Sequence, residues 1–499
     1  MKNILFLISL LVYTISKAQI TFENRLEFDL KEEEFTGHSI RIFGKDGFII
    51  QSSSVINKGS KQFKYELYST SLKPIKNHIE TVELDKSTIL KSYESKNHFV
   101  NFFYDKNGAS KIISIEGKTL KSNTIELTLP ASVNFVSGEL ADRKLYLYGK
   151  IKKNPFVVVI DWLSGNKTIV PVTINGYKSS AIWLENISVL EKNSEAFLTF
   201  NAKKGKISEM HIIKIDKNDE ISENINLSAS LDKNITGLSA IQVSGKKYIL
   251  TGTYSTKGST TSEGIYFAEM EGNKINLIKY KSFLDLTNFL TYLSQKQQDK
   301  IEKKKNKKAA KGKELAIQYN IANHDLIIGD NCYFYIGEAY YATYRTETYT
   351  SYENGRPVTQ TRQIFDGYQY THATLVKYAL NGEIIWDQTF AMWPSYKPFS
   401  VKTFIKVNEN IEIKINLVFA SRSRIISKSF DLNGKIIEDL ISDEITTQIE
   451  GDQTKYSFSN IEFWYENYFV AYGTQRIKNK ENDDVKKKRT VFFINTIKY

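Results

Sequence analysis

SNIEFWYE (459–466), YFVAYGTQRI (468–477) and TVFFINTIKY (490–499) read as three successive strands, after which the chain stops. All three are rich in the aromatic and β-branched residues that suit a pleated, half-buried surface. A fourth strand is missing from this group. Near the opposite terminus, ITFENRLEFDL (20–30) is an equally strand-like run with no neighbours of its own. Pairing it with the last strand makes one four-stranded sheet from both ends of the chain and removes an edge that an all-β protein otherwise exposes.

Moving inward, the same four-strand unit recurs. HSIRIFG, GFIIQSSSV, FKYELYSTS and IETVEL fill 38–84, and ILKSYES, HFVNFFYD, SKIISIEG and NTIELTL fill 89–129. Further units run from Val133, Ile182, Ile235, His324 and Val401, each about 45–50 residues long where nothing is inserted, which is the spacing of four-stranded propeller blades. Asn and Gly recur in the hairpins between third and fourth strands, as in LNGEI (380–384), LNGKI (432–436) and EGNKI (271–275), where tight turns need positive φ. In these turns, and in the apolar strand that follows them at Trp386, the chain resembles the quinoprotein-like and related β-propeller repeats. The expected fold is all-β, a single propeller of eight blades, or seven if two units are wrongly divided. The resemblance spans nearly the whole mature chain and implies no particular activity.

Two insertions interrupt the rhythm on either side of His324. The first, 283–321, opens with Leu286, Phe289, Leu290 and Leu293 at three- and four-residue steps, which predicts an amphipathic helix docked on the protein. Nine lysines follow between Lys296 and Lys313 against Asp299 and Glu302, with Gly312 a break or cap. The second, 342–373, is a hairpin carrying Tyr344, Tyr349, Tyr352, Tyr368 and Tyr370 with Arg345, Arg356 and Arg362. Tyrosine combines a large apolar ring with a polar tip and suits interfaces and sugar stacking. Alternating Tyr and Thr are also simply good strand formers. In blade topology both insertions, and the basic loop 478–489, leave on one face, which makes that face the expected binding surface. Its candidate residues are the five tyrosines and three arginines together with Lys303, Lys304, Lys305, Lys307 and Lys308.

The formal net charge is +12. The first 18 residues, MKNILFLISLLVYTISKA, have a basic start, an apolar middle and small residues at Ser16 and Ala18, the pattern of a cleaved secretory leader. Removing Lys2 and Lys17 leaves +10, and Lys296–Lys313 and Lys478–Arg489 account for that excess, so the body is nearly neutral. The single cysteine, Cys332, excludes an internal disulfide. No later stretch reaches the roughly 18 apolar residues of a membrane-spanning helix. The chain is expected in the periplasm or outside the cell, with an acidic glycan, lipid or protein of the envelope as partner and nucleic acid disfavoured.

Catalytic signatures are absent: there is no GxSxG, HExxH, phosphate-binding loop or CxxC. His38, His324 and Asp325 fall on expected channel-lining strands and His372 at the hairpin base, but six scattered histidines read better as single polar contacts. DKNDEISEN (216–224) has partial calcium-loop spacing but Ile221 where the required glycine belongs, so it reads as a turn. No metal or cofactor is expected. The leading function is non-catalytic binding through the insertion-bearing face. The alternative is a saccharide hydrolase or lyase with paired carboxylates at the channel mouth.

Overall fold

The computed structural model describes residues 20–499 apart from 85–86, 142, 191–193, 206, 228–232, 257–260, 273, 354, 409–410, 412 and 483–484. The leader expected at 1–18 lies outside the described residues, as does Asn354 of the hairpin turn. The chain forms a β-propeller of eight antiparallel sheets, seven of four strands and one of five. Successive strands are neighbours within the sheets, except that Thr21–Asp29 joins the last one beside Lys488–Lys498 and that Asn320–Asn323 and Ile327–Gly329 of the five-stranded sheet both pair with Cys332–Glu353. The blades are therefore 36–83, 89–128, 133–171, 182–226, 234–282, 320–391, 406–444, and 452–498 completed by 21–29. The expected count of eight and the pairing of the two terminal strands both hold.

Two compact units contain these blades. The larger, Glu34–Thr403, holds the first six. From the second sheet to the sixth its first strands lie side by side, and each pair of successive sheets shares its own apolar cluster. Middle strands are apolar on both faces for this reason: Leu145–Tyr148 and Val157–Ile160 are almost wholly excluded from water, and each such side chain contributes roughly 1.5–3 kcal/mol of burial. Fourth strands alternate, as in Pro74–Glu83, because one face meets solvent.

The smaller unit holds the last two blades and the N-terminal strand. Thr21 pairs with Lys498 and Asp29 with Val491. Arg25 fastens this strand: its guanidinium donates to Glu27 Oε1 and Asn495 Oδ1 at 2.6 Å, to Gln475 Oε1 at 2.6 Å and to the Thr446 carbonyl at 2.8 Å.

Two expectations need correction in detail. Leu286, Phe289 and Leu290 do pack against the protein, but in a 3₁₀ turn, Phe283–Asp285, and the irregular turns after it. The helix itself is Gln295–Ala309 and has no buried residue. The first strand of the sixth blade, expected at 324–330, is split into Asn320–Asn323 and Ile327–Gly329 with His324 between them.

Candidate functional site

Strands Cys332–Glu353 and Arg356–Ala379 of the sixth blade are far longer than any others. Their blade neighbours stop early, since Asn320 pairs with Tyr340 and Ala391 with His372. Beyond those pairs the two strands continue alone as a two-stranded ribbon, in unbroken register from Tyr344–Phe365 to Glu353–Arg356. Ten residues of strand span roughly 33 Å.

Because side chains alternate along a strand, the ribbon has two faces of different chemistry. One carries Arg345, Glu347, Tyr349, Ser351 and Glu353 with their partners, and it is knitted to itself. Arg362 binds Glu347 at 2.6 Å and lies over the Tyr349 ring, Tyr349 donates to Gln360 Oε1 at 2.7 Å, and Gln360 donates to Glu353 at 3.2 Å. The other face has no charged residue. It presents Thr346, Thr348, Thr350, Thr359 and Thr361, all exposed, between Tyr344 at one end and Tyr352 at the other, which are 62% and 74% exposed.

At the ribbon root the rings of Tyr344, Phe365, Tyr368 and Phe399 meet edge to face at 5.0–5.9 Å, and Phe399 is 75% exposed. The strap that carries Phe399 runs against the second strand: Tyr368 N donates to the Pro398 carbonyl at 2.9 Å, and Lys397 binds Asp366 at 2.9 Å. Gly367 has φ +91°, and a side chain there would meet the Lys397 carbonyl at 2.7 Å, so only glycine permits this approach. The predicted binding tyrosines are thus divided. Tyr344, Tyr349 and Tyr352 are exposed and Tyr368 half-buried, whereas Tyr370 is buried with its hydroxyl bonded to the Lys402 backbone. Arg345 and Arg356 are exposed, and Arg362 belongs to the self-paired face.

The lysine-rich insertion docks at the same root. Thr287 N and Asn288 N donate to the buried Asp387 carboxylate at 2.8 and 2.6 Å, and Asn288 Nδ2 donates to its carbonyl at 2.8 Å. His372, fully buried, is enclosed by Tyr292 stacked at 3.7 Å and by Phe289 and Tyr319 edge-on at 5.0 and 5.4 Å. Desolvation in this aromatic box lowers its pKa to about 3, so the ring is neutral. Ser294 caps the helix, its N–H and hydroxyl donating to Gln297 Oε1 at 3.0 and 2.8 Å.

Lys305 turns back to the protein, donating to the Leu284 carbonyl at 3.0 Å with Asp285 at 3.6 Å. The side chains of Lys303, Lys304, Lys307 and Lys308 are exposed and make no hydrogen bond or ion pair among the described residues. The basic stretch 478–489 differs. In the smaller unit Lys486 pairs with Asp29 and Glu32, and Arg489 with Asp452 and Glu27, so much of its charge is answered locally.

Of the expected channel residues, His324 Nε2 lies 2.7 Å from the buried Glu338 carboxylate, and His38 is half-buried. The acid group that sequence reading missed is Glu139. It lines an open groove of about 570 Å³ with Arg41, Lys91, Tyr93 and Glu94, and burial, helped by Asp325 and Glu94, raises its pKa to about 7. Among the described residues no group of acidic, histidine and cysteine side chains is arranged to hold a metal. Asp216 forms a turn, accepting from Asn218 N and Glu220 N at 2.9 and 3.1 Å.

No family model matches the sequence, and no curated protein matches it. Solved structures do resemble it in fold. The β-propeller domain of the Trilobed protease from Pyrococcus furiosus is 11% identical with a TM-score of 0.33, over 83% of this chain and 98% of that one. The WD40 domain of SCAP from fission yeast is 8% identical with a TM-score of 0.33, over 95% and 98%. Prolyl oligopeptidase B from Galerina marginata is 7% identical with a TM-score of 0.37, over 90% of this chain and 56% of that one. Likenesses this distant say nothing of activity, and the propeller assignment stands on the eight sheets themselves.

Proposed function

We propose that the protein is an exported, non-catalytic propeller that binds an acidic glycan, lipid or protein of the cell envelope through the insertions of its sixth blade. The observation that carries this reading is a cationic helix held in place. The turns before the helix are fixed by Asp387 and by the aromatic box around His372, yet the side chains of Lys303, Lys304, Lys307 and Lys308 face solvent with no acidic partner among the described residues. Like charges on adjacent turns repel by a few tenths of a kcal/mol per pair, a cost that an anionic surface would relieve. Export is supported by the leader-like residues 1–18.

The test compares the mature chain with a variant in which those four lysines become Gln, titrated against anionic liposomes and acidic polysaccharides over a salt series. Lys305 is left alone because it anchors the insertion. The parent should bind at low salt and lose affinity steeply towards 1 M, where the screening length falls to about 3 Å, and the variant should bind weakly throughout. Equal binding by both proteins, or by neither, would sink the proposal.

Glu139 supports the enzymatic alternative, since a carboxyl with a pKa near neutrality suits a general acid. Turnover of a glycan by the parent and its loss in Glu139→Gln would favour that reading.

A further inference from the structure

The first strand of the ribbon has a free edge. Residues 332–340 are flanked on their outer side by the short strands of the blade, whereas among the described residues 344–353 pair only with 356–365. The outer edge of the second strand is likewise unpaired over 358–365 among the described residues, but the 397–398 strap bonds to its root at Tyr368, and Pro357 removes an outward N–H near its tip. In a ribbon closed by the Glu353–Arg356 pair, the odd-numbered residues of the first strand bond across the hairpin to even-numbered ones of the second, and the even-numbered residues of the first strand direct N–H and C=O outward. Pro357 fits this phase, because it stands opposite Tyr352 where no internal bond is required. Thr346, Thr348, Thr350 and Tyr352 thus offer an unpaired, proline-free edge on a two-stranded ribbon, an arrangement of marginal stability by itself.

We propose that this edge pairs antiparallel with the same edge of a second copy, about a twofold axis through Tyr349. In that register Thr348 faces Thr350, Thr346 faces Tyr352 and the two Tyr349 rings are adjacent. Arg345 of each copy then stands opposite Glu353 of the other, giving two symmetric ion pairs. Neighbouring registers are worse. Centring on Thr350 sets Glu347 against Glu353, centring on Glu347 sets it against itself, and centring on Thr348 places Arg345 opposite Ser351 without an ion pair. The two ribbons become one four-stranded sheet with a continuous uncharged threonine face. Dimerisation is independent of the acidic-partner reading: changing the helix lysines leaves the dimer, and changing the edge leaves the helix charge.

The test is sedimentation of the chain lacking its leader, residues 19–499, at micromolar concentration. The parent should be dimeric. Thr348→Pro removes only an outward N–H and should give a folded monomer, while Thr361→Pro, which removes an outward N–H from the opposite edge, should stay dimeric. R345E and E353R should each weaken the dimer about tenfold or more, and the double reversal should restore it. Tyr349→Cys should form a disulfide-linked dimer on oxidation, since that residue faces its own copy, whereas Thr346→Cys should not. A monomeric parent overturns the proposal, as does a dimer indifferent to Thr348→Pro and to both charge reversals.

Discussion

His372 and Glu139 are both held near neutrality by burial, but their stability effects run in opposite directions. His372 has a folded pKa of about 3 against an ordinary 6.5, so the unfolded chain takes up the proton first. Its contribution is complete above pH 6.5 and is lost as pH falls towards 3, by roughly 4–5 kcal/mol in all. His372→Phe keeps an aromatic ring in the box and should flatten the decline of melting temperature between pH 6.5 and 4. An unchanged slope would show that His372 is not what limits acid stability. Glu139, raised from 4.5 to about 7, binds its proton more readily when folded, so stability is lost as pH rises through that interval. Glu139→Gln should therefore raise stability by about 2 kcal/mol at pH 8 and change little at pH 4.5. Thermal unfolding at the two pH values checks this directly. Neither environment was legible in the sequence, because the box joins residues some 80 positions apart and the groove joins three different blades.

At the scale of elements, blades were legible because their signals are local: turn glycines, asparagines and runs of strand-forming residues. The insertion was only half legible. Compact turns bring residues three and four apart together as a helix does, so the spacing of Leu286, Phe289 and Leu290 reported docking but mistook its form. The helix that does form has no apolar face, and its readable signal was the Ser294–Gln297 capping pair. The two faces of the ribbon were hidden by register shifts at Ala339/Tyr340 and Ala342/Tyr344, which reset the alternation. Mild trypsin should cut first at Lys311 or Lys313, in the exposed stretch after the helix, leaving fragments associated through Phe283, Phe289 and Tyr319. Asp387→Ala leaves the Thr287 and Asn288 N–H groups without an acceptor. It should lower stability by about 2–3 kcal/mol and speed that cleavage, and unaltered proteolysis would show that the carboxylate is not the clamp.

For the molecule as a whole, the decisive inference from sequence was that 20–30 completes the last sheet, and it succeeded because an unpaired strand at each end leaves few alternatives. Arg25 shows what fastens the join. Arg25→Ala should cost about 3–5 kcal/mol by stranding buried acceptors, whereas Arg25→Met, which keeps the apolar stem, should cost less. Removing 20–30 altogether should expose strand Lys488–Lys498 and bring unfolding and light scattering to lower temperature together. The Arg25–Asn495 contact spans 470 positions. The N-terminal strand must therefore wait for partners made some 470 positions later before it has a place, so the smaller unit cannot assemble progressively as the chain is synthesised. Until its C-terminal strands arrive, the chain offers its first strand as an open hook to any other unfinished copy.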